Sequence, residues 1–172
     1  KMEALDLSNI EISPDKVEIS ASISKQLRDV EKYEKKNGRG VNSFLAKGAL
    51  YYNSRDFKKA KFYFEKAASI QYDINIISSL MKLYSKTDCI SEILPHLENS
   101  KDILKSNFTY WQLAGFAYAE LEQVEEAAEN LLKARKLGSK SDLTTSLLLK
   151  SLGKLKRHEE QYEIAKQELV QN

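Results

Sequence analysis

Two histidines, His96 and His158, and one cysteine, Cys89, are all the imidazole and thiol chemistry that 172 residues offer. Cys89 and His96 stand seven apart, which on a helix puts both on one face. A thiol–imidazole nucleophile is what such a pair suggests, but a lone cysteine more often serves as a small buried hydrophobe. No serine and carboxylate complete a catalytic set at either histidine. The carboxylate pairs Glu125-Glu126 and Glu159-Glu160 have the types that acid–base catalysis uses, yet both fall in segments that read as solvated helix faces. Zinc, calcium and nucleotide signatures are missing from the sequence. Gly38-Arg39-Gly40 is too short for a phosphate loop and reads as a helix stop. The chemistry points away from an enzyme, and no metal or cofactor is expected.

One charge asymmetry remains. Lys133, Arg135, Lys136, Lys140, Lys150, Lys154, Lys156 and Arg157 face only Asp142 in the same stretch. Such a run suits phosphates or an acidic protein. No aromatic residue lies inside it to stack on bases, so nucleic acid is the second reading and a protein partner the first. Hydrophobic residues at 42%, charged residues at 30%, six glycines and two prolines describe a soluble, helix-rich domain with one core. The net charge of +2 steers no partner by itself. There is no apolar run of the ~18 residues that a membrane span needs, and a single cysteine excludes an internal disulfide. A soluble domain is expected, the cytoplasm slightly favoured; an anchored or exported parent chain is compatible with a start at Lys1.

The elements that would position any site show in a repeated pattern. Phe44, Lys47-Gly48 and Tyr51, followed by Ala60, Phe64 and Ala67, match Trp111, Ala114-Gly115 and Tyr118, followed by Ala127, Leu131 and Ala134. The offset from Ala60 to Ala127, 67 residues, is one period of 34 plus one of 33, which predicts a third copy between them. A fixed period of this size marks a stacked array. The spacing predicts helices near Tyr110–Leu121 and Val124–Leu137, stopped by Gly138, with the glycines admitting a close second helix. Asp56 is the expected N-cap after a turn at 53–56.

These residues resemble the tetratricopeptide repeat, with its W-x2-L-G-x2-Y, A-x3-F and P pattern. Tyr72 and Ser139 stand at the proline position. The resemblance implies an all-α, right-handed solenoid of three to four repeats: 41–74, a degenerate 75–107, 108–141, and a degenerate cap at 142–172. In the degenerate middle copy Ser78, Met81 and Lys82 take the places of the large residue, the leucine and the glycine, and Pro95 must fall in a first helical turn. The last copy is expected to face inward with Leu148, Leu152 and Leu155, then Tyr162, Ala165 and Leu169.

Residues 1–40 read as an N-terminal extension. Leu5, Leu7, Ile10 and Ile12 suit an extended segment, and Ser13-Pro14-Asp15 a helix start with Ile12 and Val17 as a hydrophobic staple. A helix over about 14–36 should pack its stripe of Ile19, Ile23, Leu27, Val30 and Tyr33 on the first repeat as a cap.

In the resembled family the first helix of each repeat lines a concave groove that takes peptides. Carried over by position, that groove comprises Asn42, Leu45, Ala49, Tyr52 and Asn53; Ile76, Ser79, Leu83, Lys86 and Thr87; Thr109, Gln112, Phe116, Ala119 and Glu120; and Ser146, Lys150 and Lys154. It is mostly apolar. A carboxylate clamp of the kind one subgroup uses is not expected, because only Asn53 suits it and Glu120 opposes it. The implied partner is a helical or extended apolar segment of another protein.

Overall fold

The computed structural model describes the backbone of residues 14–171 and the side chains of residues 21–170. The expectations for Leu5, Leu7, Ile10, Ile12 and Ser13, and for the side chains of Asp15, Val17 and Ile19, lie outside the described residues. Among the described residues every regular element is helical: α1 (Pro14–Asn37), α2 (Val41–Asn53), α3 (Phe57–Ile70), α4 (Ile74–Lys86), a 3-10 turn (Ile90–Glu92), α5 (Ile93–Leu104), α6 (Phe108–Glu120), α7 (Val124–Lys136), α8 (Asp142–Lys154) and α9 (His158–Gln171). They form an all-α solenoid of helical hairpins, α2–α3, α4–α5, α6–α7 and α8–α9, with α1 laid against α2.

The first helices of the hairpins begin at residues 41, 74, 108 and 142. Counted from those starts, the fifteenth residues are Arg55, Asp88, Glu122 and Lys156, and all four have φ between 55° and 63°. The next N–H in each case donates back to the eleventh carbonyl: Asp56 to Tyr51 at 2.9 Å, Cys89 to Tyr84 at 2.8 Å, Gln123 to Tyr118 at 2.9 Å and Arg157 to Leu152 at 3.0 Å. A left-handed residue with this six-residue bond is the Schellman helix stop. The same turn therefore closes all four hairpins, including the two whose side chains have drifted.

That frame corrects the middle copy. The loop from α3 to α4 spans three residues, so α4 starts at Ile74, one residue ahead of the expected register. Asp73 caps it, accepting from the Ile76 N–H at 2.9 Å. Ile77, Leu80 and Tyr84, all buried, now occupy the places of the large residue, the leucine and the tyrosine. Ile93, Leu97 and Ser100, also buried, occupy those of Ala60, Phe64 and Ala67. Met81 at the glycine place and Ile93 at the first alanine place depart from the pattern by size, and Ser100 takes the second alanine place. Pro95 sits third in α5, where its missing N–H has no intrahelical partner to lose.

The glycine place sets how closely a hairpin packs. A Cβ on Gly115 would stand 2.6 Å from the side chain of Leu131, and one on Gly48 would strike the ring of Phe64. Both contacts belong to the two most intimately packed helix pairs, α6–α7 and α2–α3. With Met81 and Leu149 in the equivalent place, α4–α5 and α8–α9 are much more loosely apposed. Ala60, Ala67, Ala127 and Ala134 are buried against these glycine-bearing helices, together with Phe64, Trp111, Ala114 and Leu131. Phe44 and Tyr51 are partly buried and pack on Tyr63, with Tyr51 and Tyr63 stacked at 5.6 Å. Tyr118 is half-buried beside the turn that its carbonyl closes.

Two apolar stripes lie differently from expectation. On α9, Tyr162 and Leu169 are exposed and Ile164 is buried. The helix turns Gln161, Ile164 and Glu168 inward because polar partners wait there. Gln161 donates to the Leu149 carbonyl at 3.0 Å and Glu168 pairs with Arg135. On α1, Ile23, Leu27 and Val30 are half-buried and Tyr33 is exposed. The contact with α2 centres instead on Glu34, whose carboxylate meets the Lys47 ammonium at 2.7 Å with both side chains at most 10% exposed. Lys47 occupies the leucine place of its repeat, and Glu34 supplies the charge that its burial requires. Burial alone would raise the Glu34 pKa, but hydrogen bonds from Lys47 and Ser43 and the charges of Lys47 and Arg39 together hold it below the ordinary carboxylate value.

Three substitutions test this packing. Gly115→Leu should lower stability by about 1–3 kcal/mol through overpacking, read as a lower melting temperature; an unchanged melt would contradict the glycine contact. Glu122→Gly should stabilise by about 0.5–1 kcal/mol, since relief of left-handed strain exceeds the entropy that glycine loses. Lys47→Met leaves the buried Glu34 carboxylate only the largely exposed Arg39 guanidinium, 3.7 Å away, as an ion-pair partner and should cost about 3 kcal/mol at neutral pH. Because the folded pKa of Glu34 is depressed, its contribution is full above the unfolded carboxylate range and fades as pH falls through the folded value. The gap between wild type and Lys47→Met should therefore narrow in acid denaturation series.

Candidate functional site

The first helices of the hairpins stand side by side, α4 in contact with both α2 and α6, and a bond from Gln112 Nε2 to Thr144 Oγ1 at 2.6 Å ties α6 to α8. Their shared inner face holds a depression of about 490 Å³. Met81, Lys82 and Ser85 of α4 line it, with Leu113, Phe116, Ala119 and Glu120 of α6 and Leu143 and Leu147 of α8. Helical periodicity puts these on one face of each element: 113, 116 and 120 on α6, 143 and 147 on α8. The walls are apolar except at one lip, where the Ser85 hydroxyl donates to both oxygens of Glu120, at 3.0 and 3.2 Å.

The expected groove residues divide. Phe116, Ala119 and Glu120 line the depression, and Gln112 forms the bridge to α8 beside it. Ile76 and Leu83 do not reach it, being 0% and 1% exposed in the core. The one-residue shift of α4 explains this and brings Lys82 and Ser85 to the surface in their stead. Ser79 and Thr109 are half-buried, and Lys86 and Lys150 are exposed on the first helices of their pairs. Asn42 lines a smaller depression of about 390 Å³ between α1 and α2, with Asp29, Val30, Tyr33, Ser43 and Ala46. Leu45 packs on the core, Tyr52 packs edge-on to Phe57 at 5.6 Å, and Ala49 and Asn53 are exposed. Met81, Leu113, Leu143 and Leu147 escaped the sequence reading. Leu143 sits at the same repeat position as Asn42 and Thr109, and that position was its only available signal.

The basic stretch does not form one surface. Lys133 lies over the Trp111 ring, 4.5 Å from its centre. Arg135 pairs with Glu168 and also donates to Thr145 and Gln167. Arg157 pairs with Glu160 and Glu129; the hydrogen bond to Glu160 is the leading reason its guanidinium pKa is raised. Lys133 thus ties α7 to α6, while Arg135 and Arg157 brace α7, α8 and α9 against one another. Arg135, Lys136 and Lys140 border a further depression between α7 and α9, where Glu168 and Asp142 oppose them.

The imidazole and thiol are engaged in the scaffold. His96 Nδ1 lies 2.9 Å from the Tyr72 hydroxyl, and its Nε2 lies 3.3 Å from the hydroxyl of Tyr84, which donates to Glu65. Burial lowers the His96 pKa and pushes that of Tyr84 upward. Cys89 donates to the Thr87 carbonyl at 3.3 Å, so the thiol and imidazole are not paired. Among the described residues no group of histidine, cysteine and carboxylates is placed to hold a metal, and no helix is long and apolar enough to cross a membrane.

Comparisons agree with this architecture. Residues 41–74 match the family profile described as "Tetratricopeptide repeat". No curated protein matches the chain by sequence. Among solved structures, a MamA RS-1 double mutant superposes with a TM-score of 0.70 at 18% identity, covering 92% of each chain. MamA 41-end from Desulfovibrio magneticus RS-1 gives 0.68 at 18% identity, covering 89% of this chain and 87% of its own. YrrB, titled a TPR protein with an unusual peptide-binding site, gives 0.65 at 14% identity, covering 87% of this chain and 78% of its own. Residues 41–74 thus match a tetratricopeptide repeat, and the chain as a whole has the fold of a tetratricopeptide-repeat solenoid.

Proposed function

We propose that the chain is a non-catalytic protein-interaction scaffold that receives an apolar segment of another protein, helical or extended, on the inner face of α4, α6 and α8. The supporting observation is the depression walled by Met81, Leu113, Phe116, Leu143 and Leu147. Leu143 is 65% exposed, a cost in water that an apolar partner would remove. The peptide-binding site named for YrrB lends support by analogy of fold, since function must be argued from the site. The rival reading, in which the stretch from Lys133 to Arg157 binds nucleic acid, has against it the internal engagement of Lys133, Arg135 and Arg157.

Leu143→Asp provides the test. Its side chain is largely solvent-exposed, so the variant should melt within about 0.5 kcal/mol of wild type. Used as bait in affinity purification with mass spectrometry, it should lose the proteins that wild type retains, whereas Tyr162→Asp, on α9, should keep them. Retention by Leu143→Asp equal to wild type would contradict the groove reading. Tight RNA or DNA binding that weakens steeply with salt would replace it.

A further inference from the structure

The inner face of α4, α6 and α8 carries a charge pattern that its apolar centre does not explain. On α8 the residues Leu143, Leu147, Lys150 and Lys154 follow one another at spacings of four, three and four, a single helical stripe. The two leucines line the depression, so the two lysines continue its wall. On α4, Lys82 lines the same depression and Lys86 lies one turn further along. All four lysines are exposed, and among the described residues none has an ion pair, hydrogen bond or ring contact. Against them the wall offers one carboxylate, Glu120, already held by Ser85. A chain whose net charge is only +2 thus concentrates four unpaired cations around one apolar depression, while Lys133, Arg135 and Arg157 are engaged internally.

Resting on the groove reading above, we infer that the occupant is an acidic–apolar–acidic segment: a central apolar anchor flanked on both sides by carboxylates. The lysine rows on α4 and α8 stand either side of α6. With neighbouring helices about 8–10 Å apart, the rows are separated by roughly 20 Å. A helix covers that distance in about 13 residues at its usual rise. Its anchor would lie on Phe116 and Leu147, with carboxylates at one end near Lys82 and Lys86 and at the other near Lys150 and Lys154. Opposite charges across such an interface select among partners and speed encounter, while the apolar centre holds the complex.

The test uses the full chain and amidated, fluorescent helical peptides of 16 residues with a leucine-rich centre, their ends built from Glu, Gln or Lys. Fluorescence anisotropy should rank them Glu, then Gln, then Lys, with Glu about tenfold tighter than Gln, as four exposed ion pairs of ordinary strength would give. Lys150→Gln/Lys154→Gln should reduce that advantage about threefold and leave the Gln peptide unchanged. Equal affinity of the Glu and Gln peptides would overturn the acidic assignment while leaving the groove reading standing. A Glu-ended peptide with a serine centre that bound as tightly would show a diffuse charge effect and also overturn it. So would binding by a peptide with a free C-terminal carboxylate alone, or stronger binding by a single-stranded RNA. Failure of all the leucine-centred peptides to bind would overturn both readings.

Discussion

The turn that closes each hairpin governs the rest of the molecule. One residue in the left-handed region and one bond spanning six residues fix where the second helix begins and which of its faces meets the first. The turn recurs at Arg55, Asp88, Glu122 and Lys156, and none of these is the glycine that such a conformation favours. Packing supplies what local preference does not. Each pair buries enough apolar surface, from Ala60 and Phe64 to Leu148 and Leu152, to hold a strained backbone residue at its apex. Because the turns are alike, the first helices all present corresponding positions to the inner face, and a continuous wall results.

Within that frame, side chains vary in what they contribute. Where glycine occupies the eighth position, helices approach until Leu131 or Phe64 touches backbone. Where Met81 or Leu149 occupies it, the pair opens and polar bridges take part in the contact, such as the Gln161 amide on the Leu149 carbonyl. The Tyr72–His96–Tyr84–Glu65 chain of hydrogen bonds joins the first and second hairpins in a related way. Its first member, Tyr72, stands at the family's proline position. His96, one of the two imidazoles in the sequence, is thus part of a structural tie between hairpins.

Much of this was legible in the residues. The pattern shared by Phe44–Ala67 and Trp111–Ala134 identified the fold, because small and large residues at fixed places report a close helix contact directly. The middle copy was misregistered by one residue because a period shortens in its loop, where sequence carries no periodic signal. That slip placed Ile76 and Leu83 in the groove and left Lys82 and Ser85 out. The ion pair of Glu34 with Lys47 was half visible: a lysine at a leucine place was plain, but its partner lay 13 residues upstream on another helix. The outward turn of Tyr162 and Leu169 could not be read, since it depends on Arg135 and Leu149 reaching α9 from elsewhere in the chain.

The proposed function requires α4, α6 and α8 together to make one receptive wall. Methyl NMR with labelled Met, Leu and Ile residues measures this most directly, titrated with the leucine-centred Glu-ended peptide. Shifts are expected at Met81, Leu113, Leu143 and Leu147, with Ile103 on α5 and Leu169 on α9 unmoved. Shifts confined to α9, or spread evenly over both faces of the solenoid, would contradict it.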